Sequence, residues 1–317
     1  MSAREVKMTE GLLPGGRDVA FAEIEATLAS LVRDGRSKRG PARAATATVI
    51  VVGTPDRLAA AAEALEQLGE SGGVRAILIS EGDQTSPVAR VTGYAIAIAG
   101  LAPRYLNNAV AALRLSSLPA VVWCRGGTGQ ALDDLDDLAR LADRLVLDIA
   151  EPDGVWARAD GLFERTALTD LRWTRLTRWR AAVAHLFDLS QVRRGAAAIR
   201  SLTIETTDPH AARLFAGWLK SRLRWTASVA IEIHGVTGDG PSPLVTVRLA
   251  GDAVAISLSV RPGTSCLEAS VDGAETIAQI VPLGNGTLAS LIGEELGVRT
   301  RDFAFEQALV AAREISA

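Results

Sequence analysis

The residues best suited to specific chemistry gather in one stretch, Leu171–Asp188 (LRWTRLTRWRAAVAHLFD). It holds Trp173, Trp179 and four arginines, Arg172, Arg175, Arg178 and Arg180. Tryptophan and arginine are enriched at the energetic centres of protein interfaces. An indole buries a large apolar area, and a guanidinium offers a flat, multidentate cation. The expectation is a surface that grips another protein, formed or held in shape by Trp173, Arg175, Trp179 and Arg180. A plainer reading competes with it. Leu176, Trp179, Val183 and Leu186 recur at helical spacing, which is the stripe of an amphipathic helix packed on its own core. Both readings hold if the stripe packs inward while the arginine edge stays outside. Thr177 reads as the N-cap of this helix, its hydroxyl accepting from a free amide of the first turn.

A second candidate is Gly126-Gly127-Thr128-Gly129, between an apolar run and a helical one, where anion-binding loops occur. The charged positions of a phosphate loop are missing. No Gly-Lys-Ser/Thr ending and no GxGxxG follow, and the next helix opens with Asp133, Asp134, Asp136 and Asp137, which repel phosphate. The loop is kept as a weak small-molecule site for a nucleotide or sugar phosphate. His185, His210 and His234 are scattered, and Cys124 and Cys266 lie far apart without a CxxC, so no metal site is expected. There is no GxSxG elbow, and Asp143, Asp148 and Asp170 show no acid–base pairing. The sequence offers no catalytic constellation and implies no cofactor.

The elements that position these residues fall into two grammars. Thr46–Val52, Val74–Ser80, Val91–Ala99, Leu118–Cys124 and Arg144–Ile149 read as strands. Between them lie helical runs over Asp56–Leu68, Arg104–Leu115 and Leu132–Leu141. Alternation of this kind predicts an α/β domain with a mainly parallel sheet over residues 1–160. Residues 1–20 read as an arm, 21–32 as a helix, and the Gly/Pro-rich 33–43 as a flexible loop. After the Trp/Arg segment, Ile199–Thr206 reads as a strand. Asp208-Pro209 then starts a helix that runs to about Arg222. Four strands follow, at Thr226–Val236, Pro243–Ala250, Val254–Val260 and Ser265–Val271, with a fifth at Thr276–Pro282. The turns Gly251-Asp252, Pro262-Gly263 and Asp272-Gly273 favour an antiparallel meander. Two helices, Thr287–Leu296 and Thr300–Ile315, close an α+β domain over 161–317.

Composition narrows the function classes. The 317 residues are 48% hydrophobic and 22% charged with a net charge of −3, so the basic stripe that duplex binding needs is missing. No run of 18 apolar residues argues for a membrane span, and the N-terminus has no apolar signal core, so the expected location is the cytoplasm with both thiols free.

Three segments taken together resemble a known family. LPAVVW (118–123), LARLADRLVLD (138–148) and DLRWTRLTRWRAAVAHLFD (170–188) occur in the order found in the glucose-6-phosphate dehydrogenase assembly proteins, the OpcA family. WLKSRLRW (218–225) and DFAFEQAL (302–309) are similar to that family's later segments. The resemblance covers about residues 45–315. It departs at Gly72-Gly73-Val74-Arg75, where the family's His-Pro-Cys-Arg-like segment keeps only its arginine, and at Cys124, which stands for a second tryptophan. The resemblance implies a non-catalytic partner of glucose-6-phosphate dehydrogenase that promotes its active oligomer and so supports NADPH production in the oxidative pentose phosphate pathway.

Overall fold

The computed structural model describes residues 9–39, 45–85, 87–126, 135–225, 229–238, 240, 242–252, 254–272, 277–298 and 300–316. The chain forms two compact units, one of Met1–Thr169 with Ile292–Arg301, the other of Asp170–Leu291 with Asp302–Ala317.

The first unit is built on an eight-stranded sheet. Its strands are β1 (Arg17–Ala20), β2 (Ala47–Gly53), β3 (Val74–Gln84), β4 (Val88–Val91), β5 (Ala95–Leu101), β6 (Ala120–Arg125), β7 (Arg144–Leu147) and β8 (Ala167–Asp170). They lie in the order β1-β4-β5-β3-β2-β6-β7-β8. Parallel pairing links β5, β3, β2, β6 and β7, as the alternating grammar predicts. Strands β2, β5 and β6 are buried along their whole length, which explains their unbroken aliphatic runs where alternation would otherwise be expected. The helix Pro55–Gly72 starts with proline in its first turn and stops at Gly73, whose φ of 66° lies in the left-handed region.

Several boundaries differ from the expectations. Residues 9–20 are no arm, because β1 pairs antiparallel with β4 and Leu12, Leu13 and Val19 are buried. Arg90 fastens this segment, donating to the Leu13 carbonyl (3.0 Å) and to Asp18 (2.7 Å). The helix Ile24–Arg39 runs through most of the stretch read as a loop at 33–43, while residues 1–8 and 40–43 lie outside the described residues. The strand expected over Val91–Ala99 is two strands, because the chain turns between Thr92 and Ala95 and β4 pairs back on β5.

The division at 160/161 also moves. β8 completes the first sheet, with Thr166 donating to the Ala142 carbonyl (2.9 Å), and Ile292–Arg301 belongs to the first unit. The physical reason is Arg144, buried on β7. Its guanidinium donates to Glu295 (3.3 Å) and to the carbonyls of Val298 (3.2 Å) and Thr300 (2.6 Å), and Thr169 donates to the other oxygen of Glu295 (3.4 Å).

The second unit has a six-stranded sheet of β9 (Ile199–Thr206), β10 (Ala230–Gly235), β11 (Leu244–Gly251), β12 (Ala255–Val260), β13 (Cys266–Asp272) and β14 (Ile277–Pro282). Strands β11 to β14 form the predicted antiparallel meander. β10 does not join it, because β9 lies between β10 and β11 and runs parallel to β10. The helix Pro209–Leu223 is the crossover between those parallel strands. Leu202, Ile204, Val247, Leu249, Ile256, Leu258, Leu267 and Val271 alternate onto the buried face of this sheet. The helix Pro209–Leu223 packs against Phe303–Ala312 so closely that a Cβ at Gly217 would lie 2.3 Å from the Ala308 carbonyl oxygen.

Removing one partner of a buried ion pair leaves an uncompensated charge. Arg144→Ala is therefore expected to destabilise the protein by about 3–5 kcal/mol, read by urea denaturation. The exposed pair Arg140–Asp137 supplies the control, since Arg140→Ala should change stability by less than about 1 kcal/mol.

Candidate interaction site around the tryptophan–arginine segment

The segment read as one helix is two, Leu171–Arg175 and Thr177–Asp188. Thr177 is not the N-cap. Leu176 occupies the cap position of the longer helix without a side-chain cap bond, because the preceding short helix runs directly into it. The cap is Asp170, whose carboxylate accepts from the Arg172 amide (2.9 Å).

Two further aspartates complete the arrangement. Asp208 caps the helix Pro209–Leu223, accepting from the amides of His210 (3.0 Å) and Ala211 (3.2 Å). Asp302 caps Phe303–Ala312, accepting from Ala304 (2.9 Å) and Phe305 (3.0 Å). Arg172 donates from Nε to Asp208 (2.8 Å) and lies 3.5 Å from Asp170, and Trp173 donates from Nε1 to Asp302 (2.8 Å). Two consecutive residues thus tie three helix N-termini together, and each carboxylate sits where the helix dipole favours negative charge.

Aromatic packing surrounds this knot. Trp173 meets Phe305 edge-on (5.7 Å), and the Arg180 guanidinium lies 3.5 Å above the Trp173 ring while donating to the Trp173 carbonyl (3.2 Å) and to Thr177 Oγ1 (3.2 Å). Trp179 donates from Nε1 to Ser242 (2.8 Å) and meets Phe215 edge-on (6.4 Å).

Trp173 and Trp179 are therefore core residues of the second unit, with Leu176, Val183 and Leu186 buried beside them as the helical spacing predicts. Arg175 and Arg180 are half-buried, Arg175 donating to the Gly286 carbonyl (3.5 Å), and Arg178 is exposed. Of the four predicted residues the structure joins Trp173 and Arg180 in direct contact, while Trp179 packs on Phe215 and Ser242 and Arg175 reaches the Gly286 carbonyl. Asp302 and Ser242 are partners that sequence reasoning missed. An aspartate ahead of the apolar run FAFEQAL signals a helix start, but no local pattern tells which indole will reach it.

The second candidate lies at the C-terminal edge of the parallel sheet. The order β5-β3-β2-β6-β7 is that of a doubly wound sheet, whose ligand crevice opens beside β2 and β6 where the order reverses. Arg125 lies there at the end of β6, donating to Asp148 (2.7 Å) and to the Arg57 carbonyl (2.7 Å) and lying 4.7 Å over the Trp123 ring. A Cβ at Gly53 would lie 2.8 Å from the Arg125 carbonyl oxygen, so this glycine allows the two strand ends to close up. Gly126 is buried directly behind them, and Gly127, Thr128 and Gly129 lie outside the described residues. Among the described residues no three His, Cys, Asp or Glu side chains converge as metal ligands, and no helix is long and apolar enough to cross a membrane.

Both cysteines are free thiols. Burial, with a smaller contribution from the charge of Glu81, pushes the Cys124 thiol up from 9.0 to about 12.

Fold and site together define a two-unit protein, one unit with a doubly wound, mainly parallel sheet that carries the Arg125–Asp148 pair at its C-terminal edge, the other an α+β unit organised by a tryptophan–arginine knot. In fold the chain is similar to the super-repressor mutant of Gal80p from Saccharomyces cerevisiae (TM-score 0.51, 11% identity, covering 85% of this chain and 94% of that one). It is likewise similar to the aldose-aldose oxidoreductase of Caulobacter crescentus (TM-score 0.50, 10% identity, 85% and 95%). Residues 166–309 match the family described as the C-terminal domain of the glucose-6-phosphate dehydrogenase subunit. The OxPP cycle protein OpcA of Synechococcus elongatus is 24% identical over 243 residues, 64% of this chain and 55% of that protein. Its counterpart from Nostoc punctiforme is 30% identical over 126 residues, 38% and 27%. Over these residues the chain is similar to the OpcA family, as the sequence resemblance implies. The match spans about half the length of the Synechococcus relative.

Trp173→Phe keeps an aromatic ring beside Phe305 and removes the donor to Asp302. An expected loss of about 1–3 kcal/mol in chemical denaturation follows from leaving that carboxylate one bond short. Cys124 should resist alkylation in the native protein while Cys266, which is partly exposed, reacts. Because folding raises the Cys124 value, its contribution to stability is complete below pH 9.0 and is lost as pH rises toward about 12.

Proposed function

We propose that this protein is a non-catalytic assembly factor and activator of glucose-6-phosphate dehydrogenase, acting in the cytoplasm to support NADPH production. The observation that carries this reading is the match of residues 166–309 to the family described as the C-terminal domain of the glucose-6-phosphate dehydrogenase subunit, a range that takes in most of the unit organised by the tryptophan–arginine knot. The OxPP cycle names of the relatives agree with it, and so does the Arg125–Asp148 pair in the place where a doubly wound sheet would receive a nucleotide.

In this reading Trp173 and Trp179 hold the surface in shape from within, and Arg175 and Arg180, with exposed Arg178 beside them, grip the dehydrogenase. An activator acts by binding the active arrangement of its partner more tightly than the inactive one. A tenfold population shift needs only about 1.4 kcal/mol of differential binding, which one guanidinium anchor supplies.

The test is dehydrogenase activity, with the enzyme from the same organism, titrated with this protein while complex formation is followed by light scattering. The wild-type chain is expected to raise activity saturably and to form a larger complex. Arg175→Ala/Arg180→Ala should weaken activation about tenfold while circular dichroism stays native. A natively folded double variant that activates fully removes these residues from the contact. A wild-type chain that neither binds nor activates removes the function. A ligand at the Gly126–Gly129 loop, the alternative reading, would then show as a thermal shift with sugar phosphates or nucleotides.

A further inference from the structure

The two sheets have four edge strands, and they differ in kind. β1 carries Arg17 and Asp18, β8 ends in Asp170, and β10 carries Glu232 and His234. β14 reads Ile-Ala-Gln-Ile-Val-Pro, with no charge in six residues. One side of β14 pairs with β13 from Ile277 to Pro282, and among the described residues no strand pairs with the other. A free edge presents unpaired backbone amides and carbonyls, and folded proteins defend such edges with charge, proline or shortness. β14 has proline only at its end, and Ile280 is 56% exposed, the most exposed large aliphatic side chain among the described residues.

We propose that β14 pairs antiparallel with β14 of a second copy of this chain, making one continuous twelve-stranded sheet across a two-fold axis. An extended backbone is what such an edge accepts, and a second copy of the same strand complements it in charge, since neither brings any. The β1, β8 and β10 edges each carry at least one charged or titratable side chain, whose hydration opposes burial at a seam, whereas β14 carries none and meets a copy of itself without burying charge. Antiparallel pairing of identical strands closes on itself and leaves no further open edge at the seam, which stops the assembly at two.

The alternation of side chains fixes the geometry. Ala278 and Ile280 share the sheet face that carries Ser270 and Glu268, opposite to buried Ala269 and Leu267. Keeping that face continuous across the seam requires residues of like parity to oppose one another. The register centred on Gln279 does this, and sets Ile280 of one copy against Ala278 of the other, a large side chain over a small one.

The test is sedimentation equilibrium of the full chain across a range of concentrations. The wild type is expected at twice the 33.3 kDa chain mass. Ala278→Lys/Ile280→Lys sets four lysines on one face of the seam and should weaken the dimer at least about tenfold, with an unchanged circular dichroism spectrum because both positions are exposed in the single chain. His234→Lys on the opposite edge should leave the dimer intact. A wild-type chain that stays monomeric, or a dimer that the double variant does not loosen, overturns the proposal. This readout involves no dehydrogenase, so its outcome is independent of the proposed activation.

Discussion

The second unit depends on one arrangement of charge, the three aspartates Asp170, Asp208 and Asp302, each capping a helix and two of them bridged outward by Arg172 and Trp173. A cap alone fixes where its helix begins. A cap whose second oxygen is also held fixes where that helix begins relative to another. The consecutive residues Arg172 and Trp173 therefore do more than pack, since they set the spacing of the short helix, the crossover helix and the C-terminal helix. The stacking of Arg180 on the Trp173 ring holds the indole in the orientation its Nε1 needs.

In the first unit, buried arginines join elements that lie far apart in the chain. Arg144 closes the edge of the sheet against Ile292–Arg301, satisfying Glu295 and two carbonyls at once. Arg125 ties the end of β6 to Asp148 and the Arg57 carbonyl at the C-terminal edge of the doubly wound sheet. Each guanidinium uses its fixed fork of donors to satisfy several acceptors from separate elements, which a lysine could not do in the same geometry.

The tryptophan–arginine segment carries two readings at once. Its tryptophan and arginine content is of the kind enriched at interface centres, and the helical step of Leu176, Trp179, Val183 and Leu186 marks a core stripe, which the structure buries. The two do not conflict, because the tryptophans are interior and only the arginines reach the border of the surface. The Asp208-Pro209 helix start and the turns of the meander are equally readable, since N-caps and tight turns are set by neighbours in sequence.

By itself the sequence determined the elements whose causes are local: the buried aliphatic strands, the proline and glycine stops around Pro55 and Gly73, and the mainly parallel first sheet and meander second one. Only the tertiary structure decided what joins residues far apart in the chain. The return of Ile292–Arg301 to the first unit hangs on an arginine and a glutamate 151 positions apart, and Trp173 finds its acceptor 129 positions away. The insertion of β9 between β10 and β11 has the same character. Periodicity and turn chemistry report what a residue shares with its neighbours, whereas an ion pair or a strand position is chosen by which distant group arrives when the core closes. The sequence contains both, but only the first in a form that short-range rules can read.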